Sequence, residues 1–321
     1  MSPDDWTARR EELLARLRGW CGAFPERGPL NARETARREY ATHTEVQVEY
    51  DGEPGERIPA YLLLPRNAPM GCLPAVFAAH QCAWQCDIGK EQVVGKCADL
   101  PDQAYGLELV REGFVVLAPD ANKVGERYDP KLREAWQTAE VLKGQHACCT
   151  APGGSWGSVR WKPVYDVMRG IDYLSGHERV DGQRIGMLGH SLGADTTLWT
   201  MPLEERIRAA AISGGGLMMT KWLPYGLPYA EILSLIAPRP FFEVTGWRDY
   251  ANCESKEQEL STDERMCAKR AAHDAAREVY RFAGHEEALG RFEFDGGHLF
   301  PAEGRQAAYA WLKRWLVDQP M

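Results

Sequence analysis

The chain has 321 residues, 44% of them hydrophobic and 26% charged, and a formal net charge of −8. That is the profile of a globular protein with ample material for a core, and the acidic balance excludes the dense Lys and Arg clustering that nucleic-acid binding requires. No run approaches the about 18 apolar residues needed to cross a bilayer, and the N-terminus MSPDDWTARREELLARLRGW has no apolar stretch of signal-peptide length, so a cytoplasmic protein without nucleic-acid or membrane partners is expected.

In chain order, residues 1–40 read as a helical extension. Leu13, Leu14, Leu17 and Trp20 fall at i, i+1, i+4 and i+7, one apolar stripe that packs on the main domain or serves as a lid or a homodimer contact. Residues 44–50 (TEVQVEY) alternate as a half-buried strand, 51–57 (DGEPGER) are turn material and 58–64 (IPAYLLL) form the second arm of a hairpin. The continuous apolar runs 75–79 (AVFAA) and 113–118 (GFVVLA) suit parallel strands buried on both faces, with a crossover helix over 102–112 between them. The alternation continues with helix 164–174, strand 184–188, helix 191–201, strand 207–212, strand 240–245, helix 263–282, strand 291–294 and helix 307–317. Such regular alternation predicts an α/β fold: a mostly parallel central sheet with an antiparallel N-terminal edge hairpin and helices on both faces. Residues 41–321 read as one domain, with two loop insertions near 121–162 and 214–238.

The nine cysteines (Cys21, Cys72, Cys82, Cys86, Cys97, Cys148, Cys149, Cys253 and Cys267) are odd in number, and the chain is neither small nor visibly secreted, so they read as thiols. Cys82 and Cys86 lack a second Cys/His pair at zinc-finger spacing, and no metal is expected.

The chemistry lies in Gly189-His190-Ser191-Leu192-Gly193, a G-x-S-x-G pattern between a predicted strand and a predicted helix. A sharp turn there lifts a serine hydroxyl clear of the sheet. Gly189 and Gly193 keep side chains out of the close strand–helix approach, and the Leu192 N–H at the helix start becomes an oxyanion donor. A serine nucleophile needs a base, and the base an orienting carboxylate, in the chain order Ser, acid, His. Three histidines follow Ser191. His273 lies in a charged helical stretch and reads as a surface residue. His298 directly follows the last strand in FDGGHLF and is the expected base, with His285 in reserve. Asp249 lies just past the C-terminus of strand 240–245, where open α/β sheets place their sites. It is favoured as the acid over mid-strand Glu243 and over Asp295. A second oxyanion donor should come from the loop after strand 75–79, His80-Gln81-Cys82-Ala83-Trp84, from the N–H of Cys82 or alternatively of Gln81.

Together RVDGQRIGMLGHSLGADTTLWTMPLEERIRAAAISGG, IPAYLLLP, GFVVLAPDANKVGER, IAPRPFFEVTGWRD and FDGGHLFP resemble the dienelactone-hydrolase and acetyl-xylan-esterase-like branch of the α/β-hydrolases, from about residue 44 to the end. The resemblance implies Ser191 as nucleophile, Asp249 as acid, His298 as base and the Leu192 and Cys82 amides as the oxyanion hole. Two departures stand out: His80-Gln81 replaces the usual His-Gly, and Gly193-Ala194-Asp195 replaces a common Gly-Gly. The implied activity is cleavage of a short acyl or acetyl ester of a small molecule or carbohydrate, without a cofactor. Amidase, peptidase or lactonase use of the same residues, or a non-catalytic binding role, are the alternatives. Candidates to line a substrate pocket are His80, Trp84, His190, Trp156, Trp222 and Trp247. The Gly125-Glu126-Arg127 segment also resembles such relatives, and Arg127 is expected to pair with Glu126 or Asp120 in preference to the alternative of meeting a substrate.

Overall fold

A computed structural model describes residues 3–66, 68, 71–82, 87–129, 161–215, 227–250 and 261–319. The chain divides into two units, Cys21–Met187 and Met1–Trp20 with Leu188–Met321. The opening helix α1 (Pro3–Cys21) buries Leu13, Leu14, Leu17 and Trp20, the stripe read from the sequence.

In the unit 21–187, β1 (Arg33–Glu39), β2 (His43–Asp51), β3 (Arg57–Pro65), β4 (Leu73–Ala79), α2 (Tyr105–Arg111), β5 (Val115–Pro119), α3 (Trp161–Ser175) and the start of β6 (Val180–His190) follow in order. The strands lie as β1-β2-β3-β5-β4-β6. The pairs from β1 to β5 are antiparallel and β4 runs parallel to β5. Every residue of β4 and of β5 is buried, which is why both read as unbroken apolar runs. Leu117 of β5 is fully buried and faces Leu62 and Phe77 across the two neighbouring pairings. Leu117→Ala is therefore expected to destabilise the protein by about 2–5 kcal/mol, read by urea unfolding. A loss below about 1 kcal/mol would show that the strand is not core.

The helical reading of 1–40 fails in its second half: Arg33–Glu39 is a strand, bonded antiparallel to β2. Its sequence, RETARRE, is almost wholly exposed, so burial leaves no alternation in it. What makes it a strand is the free edge of β2 and cross-strand charge, with Arg33 pairing to Glu49 at 2.8 Å. A charged edge of this kind also discourages pairing with other chains.

The same unit corrects the reading of Arg127. Its guanidinium pairs with Asp166 at 2.7 Å and Glu56 at 2.5 Å, and it donates to the Asp120 carbonyl at 3.0 Å. The Asp120 carboxylate is taken instead by Lys90, at 2.7 Å, which also reaches Glu126.

In the second unit, the end of β6 leads to α4 (Leu192–Thr200), β7 (Ile207–Ser213), α5 (Tyr229–Ile236), β8 (Phe241–Gly246), α6 (Thr262–Phe282), β9 (Leu289–Phe294) and α7 (Ala302–Lys313). The order is β6-β7-β8-β9, and β7, β8 and β9 are parallel. Helix α1 is tied here by the Arg9–Glu231 ion pair and by Trp20 against Trp199, ring centroids 5.2 Å apart. Among the described residues no helix is long and apolar enough to cross a membrane.

Candidate active site

Three strand ends of the second unit build the site. At the first, β6 stops at His190 and α4 starts at Leu192, leaving Ser191 between them with φ +54° and ψ −113°. That left-handed value is strained for a residue with a Cβ. The turn is as tight as the glycine pattern requires: a Cβ on Gly189 would stand 2.2 Å from the Gly193 carbonyl oxygen. Ser191 N–H donates to the Ser213 carbonyl at the end of β7, at 2.9 Å, which holds the elbow to the neighbouring strand. Leu192 occupies the first position of α4, where helix N–H groups lack intrahelical acceptors and face anions favourably.

The other two ends meet each other. After β8 the chain turns through Gly246 to Asp249, which is 1% exposed, and after β9 it turns through Gly296 and Gly297 to His298. The turns are sewn together by Trp247 N–H to the Phe294 carbonyl (3.0 Å) and Arg248 N–H to the Gly296 carbonyl (2.8 Å). Gly246 is obligatory in this approach, since a Cβ there would lie 2.3 Å from the Gly297 oxygen. The result is a hydrogen bond from His298 Nδ1 to Asp249 Oδ1 at 2.9 Å, with Oδ2 at 3.1 Å. A proton on Nδ1 leaves Nε2 as the basic nitrogen. His298 Nε2 is buried without a hydrogen-bond partner among the described residues.

The imidazole is wedged on several sides. Its centroid lies 4.5 Å from the Tyr250 ring and 4.9 Å from the His190 ring. Gly214, at φ +62°, passes so close that a Cβ would stand 3.0 Å from His298 Cε1 and 2.9 Å from His190 Cε1. Gly214→Ala would combine backbone strain with a push on this ring. A 10²-fold loss of kcat or more, with a cooperative thermal transition retained, is expected, because misplacement by about 1 Å costs about that much. Full turnover in a folded Gly214→Ala protein would contradict the wedge.

Other residues singled out in the sequence fall elsewhere. His190 is fully buried, donates from Nδ1 to the Ser213 carbonyl at 3.0 Å and packs on His298 and Phe300, so it supports the imidazole and is not a pocket wall. His80, in the other unit, is also buried: Nδ1 bonds the Gln81 carbonyl at 2.6 Å and Nε2 accepts from Ala121 N–H at 2.9 Å. It ties the loop after β4, where Cys82 is buried in turn. Trp247 is 40% exposed beside Asp249. Trp84, Trp156 and Trp222 lie outside the described residues. His285 is half-exposed beside Glu287, and Asp295 pairs with Arg248 at the surface.

His273 is the clearest correction, because it is 1% exposed and not a surface residue. The inward face of α6 carries Met266, Lys269, His273, Ala276 and Tyr280, all buried, and the two cationic types among them masked the helical stripe. Lys269 and His273 converge on Glu243 of β8, at 2.5 Å each, with the Tyr229 hydroxyl donating to the same carboxylate at 2.7 Å. Burial opposes ionisation of Glu243, but the charge of Lys269 and the His273 bond hold its carboxyl down to about 2. Sequence reasoning missed this cluster, as it missed Gly214 and Tyr250.

The fold recurs in known structures. Methylesterase BT1017 superposes with a TM-score of 0.70 at 17% identity, over 98% of this chain and 64% of that one. A Bacteroides fragilis NCTC 9343 protein named as an acetyl xylan esterase gives 0.67 at 16% identity, over 92% of this chain and 76% of that one. The fold is that of the α/β-hydrolases. The chain thus spans less than two thirds of BT1017 while aligning along nearly its own whole length. By sequence it is 28% identical to YtaP of Bacillus subtilis (strain 168), a protein whose name assigns it to the hydrolases, over 96% of this chain and 99% of that one. No protein-family model matches the chain.

Proposed function

We propose that the chain is a serine hydrolase that cleaves carboxylic esters, with Ser191 as nucleophile, His298 as general base and Asp249 as its orienting acid. The carrying observation is the His298–Asp249 bond, which leaves a buried Nε2 without a hydrogen-bond partner among the described residues, in the unit that also holds a strained serine at a strand–helix elbow.

His298 Nε2 takes the Ser191 proton as Oγ attacks the carbonyl carbon, and Asp249 steadies the imidazolium that forms. The negative oxygen of the tetrahedral intermediate meets the Leu192 N–H at the start of α4, a type of contact whose loss costs about 3 kcal/mol in related chemistry. Collapse breaks the carbon–oxygen bond of the ester, and the departing alkoxide takes the proton from His298. Water, deprotonated by the same nitrogen, then attacks the acyl-enzyme, releasing the acid and returning Ser191 to its starting state. Every step is closed by the protein and water.

A short acyl or acetyl ester, carried by a small molecule or carbohydrate, is the substrate class we favour. The name of the acetyl xylan esterase supports it, since it denotes an acetyl ester on a carbohydrate, and the name of the methylesterase supports ester cleavage more broadly. The test is a panel of acetyl, propionyl and methyl esters, lactones and matched amides, assayed with wild-type protein and Ser191→Ala. Turnover of short esters by wild type alone is expected. Faster cleavage of the amide of the same acyl group would overturn the ester assignment.

A further inference from the structure

The buried cluster around Glu243 has no part in the proton transfers above, yet it joins four titratable side chains, each fully or almost fully buried, in the same unit. Burying an ammonium and a carboxylate is costly, and apolar residues of similar size often serve stability as well or better. What distinguishes this cluster is where Lys269 points its remaining hydrogens. While paired with Glu243 at 2.5 Å, its ammonium donates to the Gly215 carbonyl at 3.1 Å.

Gly215 belongs to the stretch 213–215, which touches the main parts of the proposed site. The Ser213 carbonyl holds the Ser191 N–H and the His190 ring. Gly214 lies against the His298 imidazole, and Gly215 lies on the first turn of α4, where a Cβ would stand 2.5 Å from Ala194 Cβ and 3.2 Å from Asp195 Oδ1. A displacement of this segment would therefore move the nucleophile, the base and the helix start together. Two glycines make it pliable; among the described residues Gly214 N–H meets the Val244 carbonyl at 3.4 Å, and the Lys269 bond restrains Gly215.

We propose that Lys269, held by Glu243, is a positioning residue for this site, clamping segment 213–215 so that Ser191 and His298 keep their mutual placement. The proposal rests on the serine-hydrolase reading. Glu243 holds the ammonium through Oε1, while His273 and Tyr229 both meet its Oε2.

The test compares Lys269→Met, Lys269→Arg and the double variant Lys269→Met/Glu243→Gln. The double variant removes both charges and keeps acceptors for Tyr229 and His273, so a folded protein is available even if Lys269→Met alone fails to fold. Folding is checked by thermal denaturation, and kcat, KM and the rate of fluorophosphonate labelling are measured on an ester that wild type cleaves. In the folded variants lacking Lys269, kcat and the labelling rate should fall together by about 10- to 100-fold, with KM within about 3-fold of wild type, since positioning acts on the reacting atoms. Lys269→Arg should recover part of the loss. A folded double variant with kcat within 2-fold of wild type would overturn the clamp. The same result with an inactive Ser191→Ala would leave the serine-hydrolase reading standing, whereas an active Ser191→Ala would remove that reading and the clamp together.

Discussion

Ser191→Ala should lower kcat for a cleaved ester by a factor on the order of 10⁶, the scale on which removal of a serine nucleophile acts when its base and oxyanion donors remain. The change deletes one oxygen at a position that is 8% exposed, so little packing is lost. The strained backbone is set by its surroundings: the Ser191 N–H bond to Ser213 and the Asp195 N–H bond to the Ser191 carbonyl at 3.0 Å both survive the substitution. Thermal stability should accordingly stay near that of wild type while turnover falls to a background set by residual oxyanion binding. The measurement is steady-state hydrolysis at high enzyme concentration, with the melting temperature recorded beside it. Turnover within about 10-fold of wild type would assign the nucleophile elsewhere.

Asp249→Asn should cost about 10⁴-fold in kcat with the geometry nearly unchanged. Asp249 is 1% exposed and accepts from His298 Nδ1. A carboxamide in its place can turn its NH₂ toward Nδ1, and the ring proton then moves to Nε2, the nitrogen that has to be free to take the Ser191 proton. The same substitution removes the charge that stabilises the imidazolium in the transition state. Fluorophosphonate labelling should slow in parallel with turnover, because both need an activated Ser191. A loss of less than about 10-fold would show that another carboxylate orients His298.

How far the site could be read from the sequence depends on how locally each part is specified. The elbow was legible because its backbone strain forces Gly189 and Gly193 into fixed positions, and one is already pressed against the other's carbonyl. Asp249 and His298 are legible because each follows a stretch that becomes a parallel strand, largely apolar in β8 and alternating Arg291-Phe292-Glu293-Phe294 in β9. The rest is specified across long separations. Gly214 matters only because His298 arrives from far along the chain, and the partners of Arg127 come from residues 56 and 166. β1 was read as helix because both its faces are exposed and its strand character comes from the β2 edge alone. Helix α6 hid its buried face by placing Lys269 and His273 on it, a polar pair whose reason for being buried is Glu243 on a different element.

The role of Ser191 as activated nucleophile is tested most directly by treating the purified protein with a fluorophosphonate, which phosphonylates such a serine with loss of fluoride, and locating the adduct by peptide mass spectrometry. One adduct per chain on the peptide containing Gly189-His190-Ser191, absent from Ser191→Ala and from heat-denatured protein, is the expected result. Undiminished ester turnover with Ser191 unmodified, or an adduct on a different serine that abolishes activity, would contradict it.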